Sequence, residues 1–529
     1  MATPPFRLAL IADAHFHDPE GDFGAGQWFG GQRLALRPWA EMRAAGRAVN
    51  ESAEALRAAL DRAAKAGARQ VILAGDYSDE GQAENITRLA RLLTAAEARL
   101  GLRIFVLPGN HDLYAFGGKH VALPIATGPG ESRMVSSDPG FPGAVLTPAM
   151  RCLGQAEALG PLARFGLCRR PGDLHWESPF GASDRFDDRH FDATSADGST
   201  THRLMDASYL VEPEPGLWLL MIDANAFEPR AGIADPRRKR AFLDPSDAGW
   251  NAVLRLKPFL LDWIADVVRR ARAGGKLLVP VSHYPVLPPF AGEAEEERRL
   301  FGASALWRRR PLPEVAERLD AAGLRLHLGG HLHVNGLTRC QTKEGLLTDV
   351  GLPSPVAFAP AFTLLEGSRD SLRMRQIPLG DLELSEVLRR FLADEGCLHP
   401  DAPLGESLAH RFRERALTRR LPRALPPEAV TRILRQTTRD LPEVFGDDAP
   451  DLPLATLVTD ALMLREAGPL ALPHVPAPNL AFYRRLALRP LAPGSDDSLS
   501  TWLLVLLRVL SLALARIDGD CDGDGPLQP

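Results

Sequence analysis

Residues 103–112, RIFVLPGNHD, consist of a short apolar run followed by a glycine and three polar side chains. The apolar run is too short for a free-standing helix and suits a strand that is covered on both faces. Ligand sites in open α/β sheets lie beyond the carboxyl ends of the strands. The segment therefore predicts a buried strand that delivers Asn110, His111 and Asp112 to such a site.

The same pattern recurs on both sides of this segment. Further strand-like runs end in polar groups: RLALIAD at Asp13, QVILAGD at Asp76, LWLLMIDAN at Asn225, KLLVPVSH at His283 and LRLHLGGH at His331. Amphipathic stretches at 50–66 and 83–100 separate the first three runs and predict helices. After Gly336, four short apolar segments predict antiparallel strands. Up to about residue 378 the pattern is that of an α/β domain.

Two regions depart from this alternation. Residues 113–202 are rich in Gly, Pro, Ser and Asp, with helical patches only around 148–164, which predicts a long insertion or lid. The pattern after residue 382 is helical, with helices expected at 384–394, 408–420, 427–440, 454–466 and 499–516. We therefore divide the chain into a catalytic α/β part, 1–380, and an all-α C-terminal domain, 381–529.

The polar groups after the predicted strands suit metal ions. Asp13 and His15, like His331 and His333, can point at one ion because residues i and i+2 of a strand share a face. Nitrogen and oxygen ligands without thiolates favour Mn, Fe, Zn or a mixed pair. Glycines beside these groups allow the backbone to approach closely, at Gly75, Gly109, Gly329 and Gly330. Nearby, Asp79 and Asn225 either support ligands or cap turns, and Tyr284 is expected at the rim.

The ordered set DxH, GDxxD, GNHD, a single His and GHxH resembles the calcineurin-like metallophosphoesterases over about residues 6–380. The resemblance implies a two-sheet β-sandwich flanked by helices and a site with two divalent metal ions. One ion would be held by Asp13, His15, Asp76 and His333, and the second by Asp76, Asn110, His283 and His331. His111 would be the general acid, and Asp112 would hydrogen-bond to its ring.

The resemblance also implies phosphoester hydrolysis with a metal-bridging hydroxide as the nucleophile. The arrangement is similar to bacterial class III cyclic-nucleotide phosphodiesterases, some of which carry a helical C-terminal domain. We therefore expect a phosphodiesterase for cyclic nucleotides or similar small diesters. Three alternatives stay open: a phosphomonoesterase or protein phosphatase that holds a dianion with Arg37 or Lys119, a nuclease, and a degenerate phosphoesterase that serves as a binding module.

The overall charge favours neither a nucleic acid nor a membrane as partner. The 529 residues include 62 basic and 67 acidic side chains, and a formal net charge of −5 gives no global field for polyanions. Basic clusters at 237–240, 308–310 and 411–423 are interpreted as solvated helix faces. The apolar segment 501–515 contains Arg508 and is shorter than the ~20 residues that span a bilayer. We expect it to form a buried helix that could support a homodimer.

Cysteine usage and the amino terminus bear on localisation. The five scattered cysteines form no CxxC pair, so neither a zinc knuckle nor a disulfide framework is predicted. The first residues lack the charged and apolar regions of a signal peptide. We expect a reduced, cytoplasmic enzyme with a small-molecule substrate.

Overall fold

The structure, a computed structural model, describes residues 6–29, 31–238, 240–290, 293–368, 371–489 and 498–519. Its strands are β1 (Phe6–Ile11), β2 (Gln27–Phe29), β3 (Gln32–Leu34), β4 (Gln70–Ala74), β5 (Arg103–Leu107), β6 (Ala122–Gly128), β7 (Glu131–Ser136), β8 (Val145–Leu146), β9 (His175–Glu177), β10 (His190–Thr194), β11 (Thr201–Met205), β12 (Tyr209–Glu214), β13 (Leu217–Ile222), β14 (Leu277–Ser282), β15 (Leu326–Gly329), β16 (Gly336–Gln341), β17 (Leu346–Gly351), β18 (Ala361–Ser368) and β19 (Ser371–Pro378).

Its α-helices are α1 (Trp39–Ala45), α2 (Ser52–Lys65), α3 (Ala83–Leu100), α4 (Gln155–Leu159), α5 (Pro245–Leu256), α6 (Phe259–Ala273), α7 (Ala294–Phe301), α8 (Ala305–Arg308), α9 (Pro313–Ala321), α10 (Glu386–Asp394), α11 (Leu404–Arg415), α12 (Leu421–Ala424), α13 (Pro427–Arg435), α14 (Pro442–Phe445), α15 (Leu454–Ala467), α16 (Ala477–Ala487) and α17 (Ser498–Gly519). A π-helical turn, Ala416–Arg420, joins α11 to α12.

Two large mixed sheets organise the first 380 residues. The first has the strand order β19-β18-β1-β4-β5, in which β1, β4 and β5 run parallel and β18 and β19 pair in antiparallel fashion. The second has the order β16-β17-β15-β14-β13-β12-β9, with β13, β14, β15 and β17 parallel. The expected α/β class is confirmed.

One apolar core contains residues of both sheets, as a sandwich requires. Leu10 and Phe105 of the first sheet and Leu219 and Val279 of the second are fully buried in it. The Tyr209 hydroxyl on β12 donates a hydrogen bond to the Val106 carbonyl on β5 at 3.0 Å. Helices α2 and α3 pack on the first sheet, and α6 packs on the second. The strand-ending residues of both sheets are thereby held on one rigid body.

The segment between β5 and β12 contains more strand than the sequence pattern predicts. It forms the three-stranded sheet β6-β7-β8 and the hairpin β10-β11, and β9 joins the edge of the second sheet. The expectation of helical patches alone is wrong here. These strands are short and interrupted by Gly and Pro, so no alternation of apolar residues marked them.

The helices after residue 380 share a second apolar core with the N-terminal part. Leu457 and Leu503 belong to it together with Leu36, Met42 and Phe358. The five expected helices correspond to α10, α11, α13, α15 and α17, whereas α12, α14 and α16 were not expected. Cys152, Cys168, Cys340 and Cys397 are free thiols, and Cys521 lies outside the described residues.

Helix α17 is longer than the segment predicted for it. It has 22 residues and a mean hydropathy of 1.9, which by length and composition alone suffices to cross a membrane. Of its most apolar window, 56% is buried, and the helix packs on α7, α15 and α16. That packing is what a core helix shows.

Candidate metal centre

The polar residues that follow β1, β4, β5, β14 and β15 meet at one place. Asp13, His15 and His333 form one group of ligand atoms within 4.8 Å of one another, and Asp76, His283 and His331 form another. His15 and Asp76 also form a group with His111 by the same criterion. The two sets therefore adjoin at Asp76, where a ligand shared between two ions would lie.

Ring nitrogens and oxygens converge inside each set. His15 Nε2 lies 3.1 Å from His333 Nε2, which lies 3.3 Å from Asp13 Oδ1. His283 Nε2 lies 3.3 Å from Asp76 Oδ2 and equally far from Asn110 Oδ1. His15 Nδ1 is buried without a hydrogen-bond partner among the described residues. Imidazole, carboxylate and carboxamide groups arranged in this way fit divalent Mn, Fe or Zn.

The backbone at this site is strained. Non-glycine residues rarely adopt a positive φ, and such strain persists where the surrounding structure enforces it, often at functional sites. Five of the converging residues have positive φ: Asp13 at 55°, His15 at 41°, Asp76 at 48°, His331 at 71° and His333 at 54°. The fold thus holds these side chains in an arrangement that local preference opposes.

Two glycines make room for the carboxylates. A Cβ atom at Gly109 would lie 2.3 Å from Asp76 Oδ1, and one at Gly330 would lie 2.4 Å from Asp13 Oδ2. Real Cβ atoms do not approach oxygen so closely, so alanine at either position would displace a carboxylate ligand. The glycines of the GNHD and GHxH motifs are required for this reason.

Backbone groups orient the ligands. The amide of His331 donates to both carboxylate oxygens of Asp13 at 3.0 and 3.1 Å, and the amide of His111 donates to Asp76 Oδ1 at 2.7 Å. His283 Nδ1 donates to the Ala74 carbonyl at 3.1 Å. Because a carbonyl only accepts, this bond places the proton on Nδ1 and leaves Nε2 free to bind a cation.

A buried polar chain supports the loop that carries His283. Ser282 Oγ lies 2.8 Å from His327 Nε2, and His327 Nδ1 lies 2.7 Å from Asp349 Oδ1. The second oxygen of Asp349 accepts from the amides of Val286 and Leu287. The serine is not placed as a nucleophile because it is fully buried and its hydroxyl donates to the Tyr284 carbonyl. Sequence reasoning missed this network, since no motif links its members.

The protonation of the ligands follows from burial and from Asp76. Burial lowers the pKa of His15 and of His331 well below the ordinary value, so both rings are neutral and can bind a cation. Burial opposes protonation of His283 too, but Asp76 raises its pKa to about 9. Burial alone would raise the pKa of Asp76, but His283 and His111 lower it well below its usual range. A bound cation would compete with these protons.

The prediction that Asp112 hydrogen-bonds to the ring of His111 is wrong. His111 Nδ1 donates to the Asp79 carbonyl at 2.8 Å and lies 3.1 Å from Glu80 Oε1. Asp112 instead accepts from the amide and hydroxyl of Ser78 and from the amide of Gly109. Asp112 therefore stabilises the turns after β4 and β5 by hydrogen bonds. Asp112 points away because adjacent residues in this turn project in different directions.

Glu80 was missed although it directly follows the GDYSD motif. Burial lowers the pKa of His111, but Glu80 and Asp76 outweigh it and raise the pKa to about 9. The ring is one-quarter exposed, and its Nε2 lies 4.0 Å from Asp76 Oδ2. At neutral pH it is an imidazolium that can donate a proton into the site.

Other residues considered from the sequence lie around this centre. The side-chain amide of Asn225 donates to the carbonyls of Pro108 and Gly109, so it supports the turn before Asn110. Tyr284 donates to Asn225 Oδ1 and is buried rather than at the rim. Arg37 is buried and pairs with Asp79 at 3.4 Å, and Lys119 lines a different cavity.

The centre opens into a cleft of about 720 Å³. The side chains that line it include six arginines: Arg47, Arg308, Arg309, Arg415, Arg420 and Arg423. The interpretation of the 308–310 and 411–423 clusters as solvated helix faces did not anticipate that five of these residues line the cleft. Their approach to the centre depends on long-range packing, which no sequence pattern displays. In the 237–240 cluster, Lys239 lies outside the described residues.

Comparison with known proteins agrees with this geometry. Residues 6–139 match the family model described as calcineurin-like phosphoesterase. This part of the chain is a calcineurin-like phosphoesterase domain. The matched residues carry the DxH, GDxxD and GNHD motifs of the phosphoesterase site, and the structure adds His283, His331 and His333 from beyond them. Metal-dependent hydrolysis of phosphoesters is the chemistry of this family.

Two further comparisons concern the whole chain. Among solved structures it is similar to a dimetal phosphatase from Danio rerio, with 15% identity and a TM-score of 0.38 over 71% of this chain and 97% of that chain. The search of curated proteins finds no match.

Proposed function

We propose that the chain is a phosphodiesterase for small diesters, with cyclic nucleotides as the first substrates to test. The observation that carries this proposal is the position of His111, an anchored imidazolium whose free nitrogen faces the candidate metal centre. A diester of a sugar alcohol has a strongly basic leaving group, and such a group benefits most from a positioned acid.

The residues present divide into two ligand sets for divalent cations. Asp13, His15, Asp76 and His333 would hold one cation, and Asp76, Asn110, His283 and His331 would hold the other. Two bound cations lower the pKa of a water molecule and neutralise charge on the phosphoryl oxygens.

His111 would supply the proton for the leaving group. Its Nδ1 proton is engaged by the Asp79 carbonyl, so the transferable proton is the one on Nε2. As the new bond from the attacking oxygen to phosphorus forms, the bond to the leaving oxygen breaks and that oxygen takes the Nε2 proton. The imidazole is left neutral and recovers its proton from solvent, which its partial exposure permits.

The test compares bis(p-nitrophenyl) phosphate with p-nitrophenyl phosphate. Metal-stripped protein would be assayed alone and after addition of Mn, Fe, Zn or Ni. Metal-dependent turnover that favours the diester supports the proposal, and silence on both substrates with every metal contradicts it. His111→Ala should slow diesters of alkyl alcohols far more than those of p-nitrophenol, because p-nitrophenolate leaves without a proton.

A phosphomonoesterase is the second candidate, and one observation favours it. A monoester carries a dianion, and Arg47 and Arg309 line the cleft beside the ligand residues. Guanidinium groups bind phosphate oxygens with paired hydrogen bonds. Preference for p-nitrophenyl phosphate in the same assay would select this function.

We likewise propose a cytoplasmic location and a homodimer formed through the C-terminal helices. Sedimentation velocity at several protein concentrations tests the dimer.

A further inference from the structure

The cleft beside the candidate metal centre is strongly basic, although the chain as a whole is acidic. Among the described residues that line it, six are arginines, and two carboxylates, Glu297 and Glu466, accompany the ligand Asp76. Three of the arginines, Arg415, Arg420 and Arg423, come from the helical part of the chain. The cleft therefore favours the binding of a negatively charged group.

Two of these arginines form no ion pair among the described residues. Arg47 pairs with Asp79 at 2.8 Å, and Arg420 pairs with Glu466 at 2.6 Å. Arg308 and Arg309 both pair with Asp247. Arg415 and Arg423, by contrast, are exposed and form no hydrogen bond or ion pair with any residue that the structure describes. Their donors remain available to a ligand.

Arg415 also lies among like charges. Its guanidinium packs against Gly46, which also lines the cleft; a Cβ atom at Gly46 would lie 2.3 Å from Arg415 Nη1. Partial desolvation of its guanidinium in the cleft and the neighbouring charge of Arg420 lower the pKa of Arg415, and Glu466 offsets part of this effect. Like charges that are held together repel each other, and an anion between them removes that repulsion.

The helices that carry Arg415, Arg420 and Arg423 are attached to the rest of the molecule by buried ion pairs. Arg411, on the helix that ends at Arg415, forms a buried ion pair with Glu51. Arg465 on α15 is fully buried and pairs with Glu297 at 2.6 Å and Glu293 at 3.3 Å. The helical part is thus attached to the N-terminal part by buried ion pairs at two places, and its arginines line the same cleft as the metal ligands.

We propose that Arg415 and Arg423 bind a second anionic group of the substrate, which is therefore a small molecule with a phosphate or similar group besides the ester that is hydrolysed. This proposal rests on the proposed function, because the metal centre would hold the scissile phosphate. It narrows the small diesters of that function to those with a further anionic group, which a simple cyclic mononucleotide lacks. A cleft of about 720 Å³ has the size of a site for one small ligand. The arginines line this one cleft, and we therefore favour a small ligand over a nucleic acid.

The experiment measures equilibrium binding by isothermal titration calorimetry. The probes are adenosine 3′,5′-bisphosphate and adenosine 5′-monophosphate, each titrated into full-length protein before and after metal removal. The test variant is Arg415→Gln/Arg423→Gln, and the control is Arg419→Gln, which removes an exposed arginine of the same segment that does not line the cleft. Thermal unfolding verifies that each variant folds, and Arg423→Gln alone replaces the double variant if it does not.

We expect the bisphosphate to bind wild-type protein and Arg419→Gln at least about tenfold more tightly than the monophosphate, since charge-assisted hydrogen bonds contribute this much. The ratio of the bisphosphate affinity to the monophosphate affinity should fall close to one in Arg415→Gln/Arg423→Gln. An unchanged ratio in that variant, or equal affinities in the wild type, would overturn the proposal. The proposal would also be overturned if a ten-residue oligothymidylate bound the wild type more tightly than the bisphosphate does and lost that affinity in Arg415→Gln/Arg423→Gln. Hydrolysis of bis(p-nitrophenyl) phosphate is measured separately, so loss of chemistry and loss of the anion site are distinguishable.

Discussion

At the residue scale, Asp76 contacts residues of both candidate ligand sets. It follows β4, its Oδ1 accepts the amide of His111, and its Oδ2 lies 3.3 Å from His283 Nε2. It also lies within reach of His15, which belongs to the other ligand set. One carboxylate therefore links both halves of the candidate centre.

Replacing that carboxylate tests the link. Asp76→Asn keeps the size of the side chain but removes its charge, and we expect it to weaken retention of both metal ions, not of one. The loss should exceed the 10–100-fold in affinity that outer-shell substitutions cause. Metal content by inductively coupled plasma mass spectrometry measures it, with the surface variant Asp235→Asn as control. Two metals per chain in Asp76→Asn would contradict the shared-ligand assignment.

Glu80 gives a prediction on pH dependence. Its carboxylate helps to raise the pKa of His111 to about 9, and an acid catalyst is lost as the pH rises through its pKa. Glu80→Gln lowers that pKa, so the alkaline limb of the kcat profile should move to lower pH by about one unit. The effect should appear with alkyl diesters and be small with p-nitrophenyl esters. Glu84→Gln, on the same segment, should leave the profile in place.

The sequence predicted which side chains meet but not all of their contacts. Asp13, His15, His331 and His333 were predictable because polar residues directly follow apolar strands, although the two pairs come from different sheets. The partner of His111 was not, because Asp112 is its neighbour in sequence, whereas Glu80 comes from the turn after β4. Backbone dihedral angles decide this, and no residue pattern encodes them.

At the element scale, one buried ion pair connects the residue before α2 to α11. Arg411 and Glu51 have side chains that are almost completely buried, and Arg411 also lies over the ring of Trp39. A buried pair adds little by itself, but a single remaining charge is strongly unfavourable.

We therefore expect Arg411→Ala to lower the free energy of unfolding by about 3–5 kcal/mol. Glu51→Gln/Arg411→Ala should be less destabilised than Arg411→Ala, because no unpaired charge is left. Urea denaturation of the wild type, both single variants and the double variant gives the coupling. If Arg411→Ala is as stable as the exposed-site variant Arg419→Ala, the pair does not hold the two elements together.

Elements with a clear period were predictable. Helix α3 begins at Ala83 and ends at Leu100, as its pattern indicated, and each predicted strand before a ligand residue is present. The strands β6 to β11 were not predictable, since they are short and lie in a segment rich in Gly and Pro. Their pairing depends on partners elsewhere in the fold.

At the scale of the whole molecule, the second core crosses the proposed boundary near residue 380. Leu36, Met42 and Phe358 are buried in the same cluster as the C-terminal helices. Two parts that share a core are stabilised together, so we expect one cooperative unfolding transition.

Hydrogen exchange during urea denaturation measures this cooperativity. Peptides from β4 and from α15 should lose protection at the same urea concentration. Separate transitions would show instead that 1–380 and 381–529 are independent units. The sequence could suggest the boundary from the change in pattern, but it could not reveal the shared core, because some of the contacts across it, such as that of Trp39 with Glu395, join residues 356 positions apart.

The left-handed backbone at the ligand positions has a consequence for any attempt to improve this protein. Glycine adopts a positive φ without strain, and asparagine tolerates it better than most residues. Selection for thermal stability alone should therefore replace residues such as His333, whose φ is 54°, and lose the metal centre while the fold gains stability. In a library screened only for heat resistance, the most robust survivors are expected to be inactive.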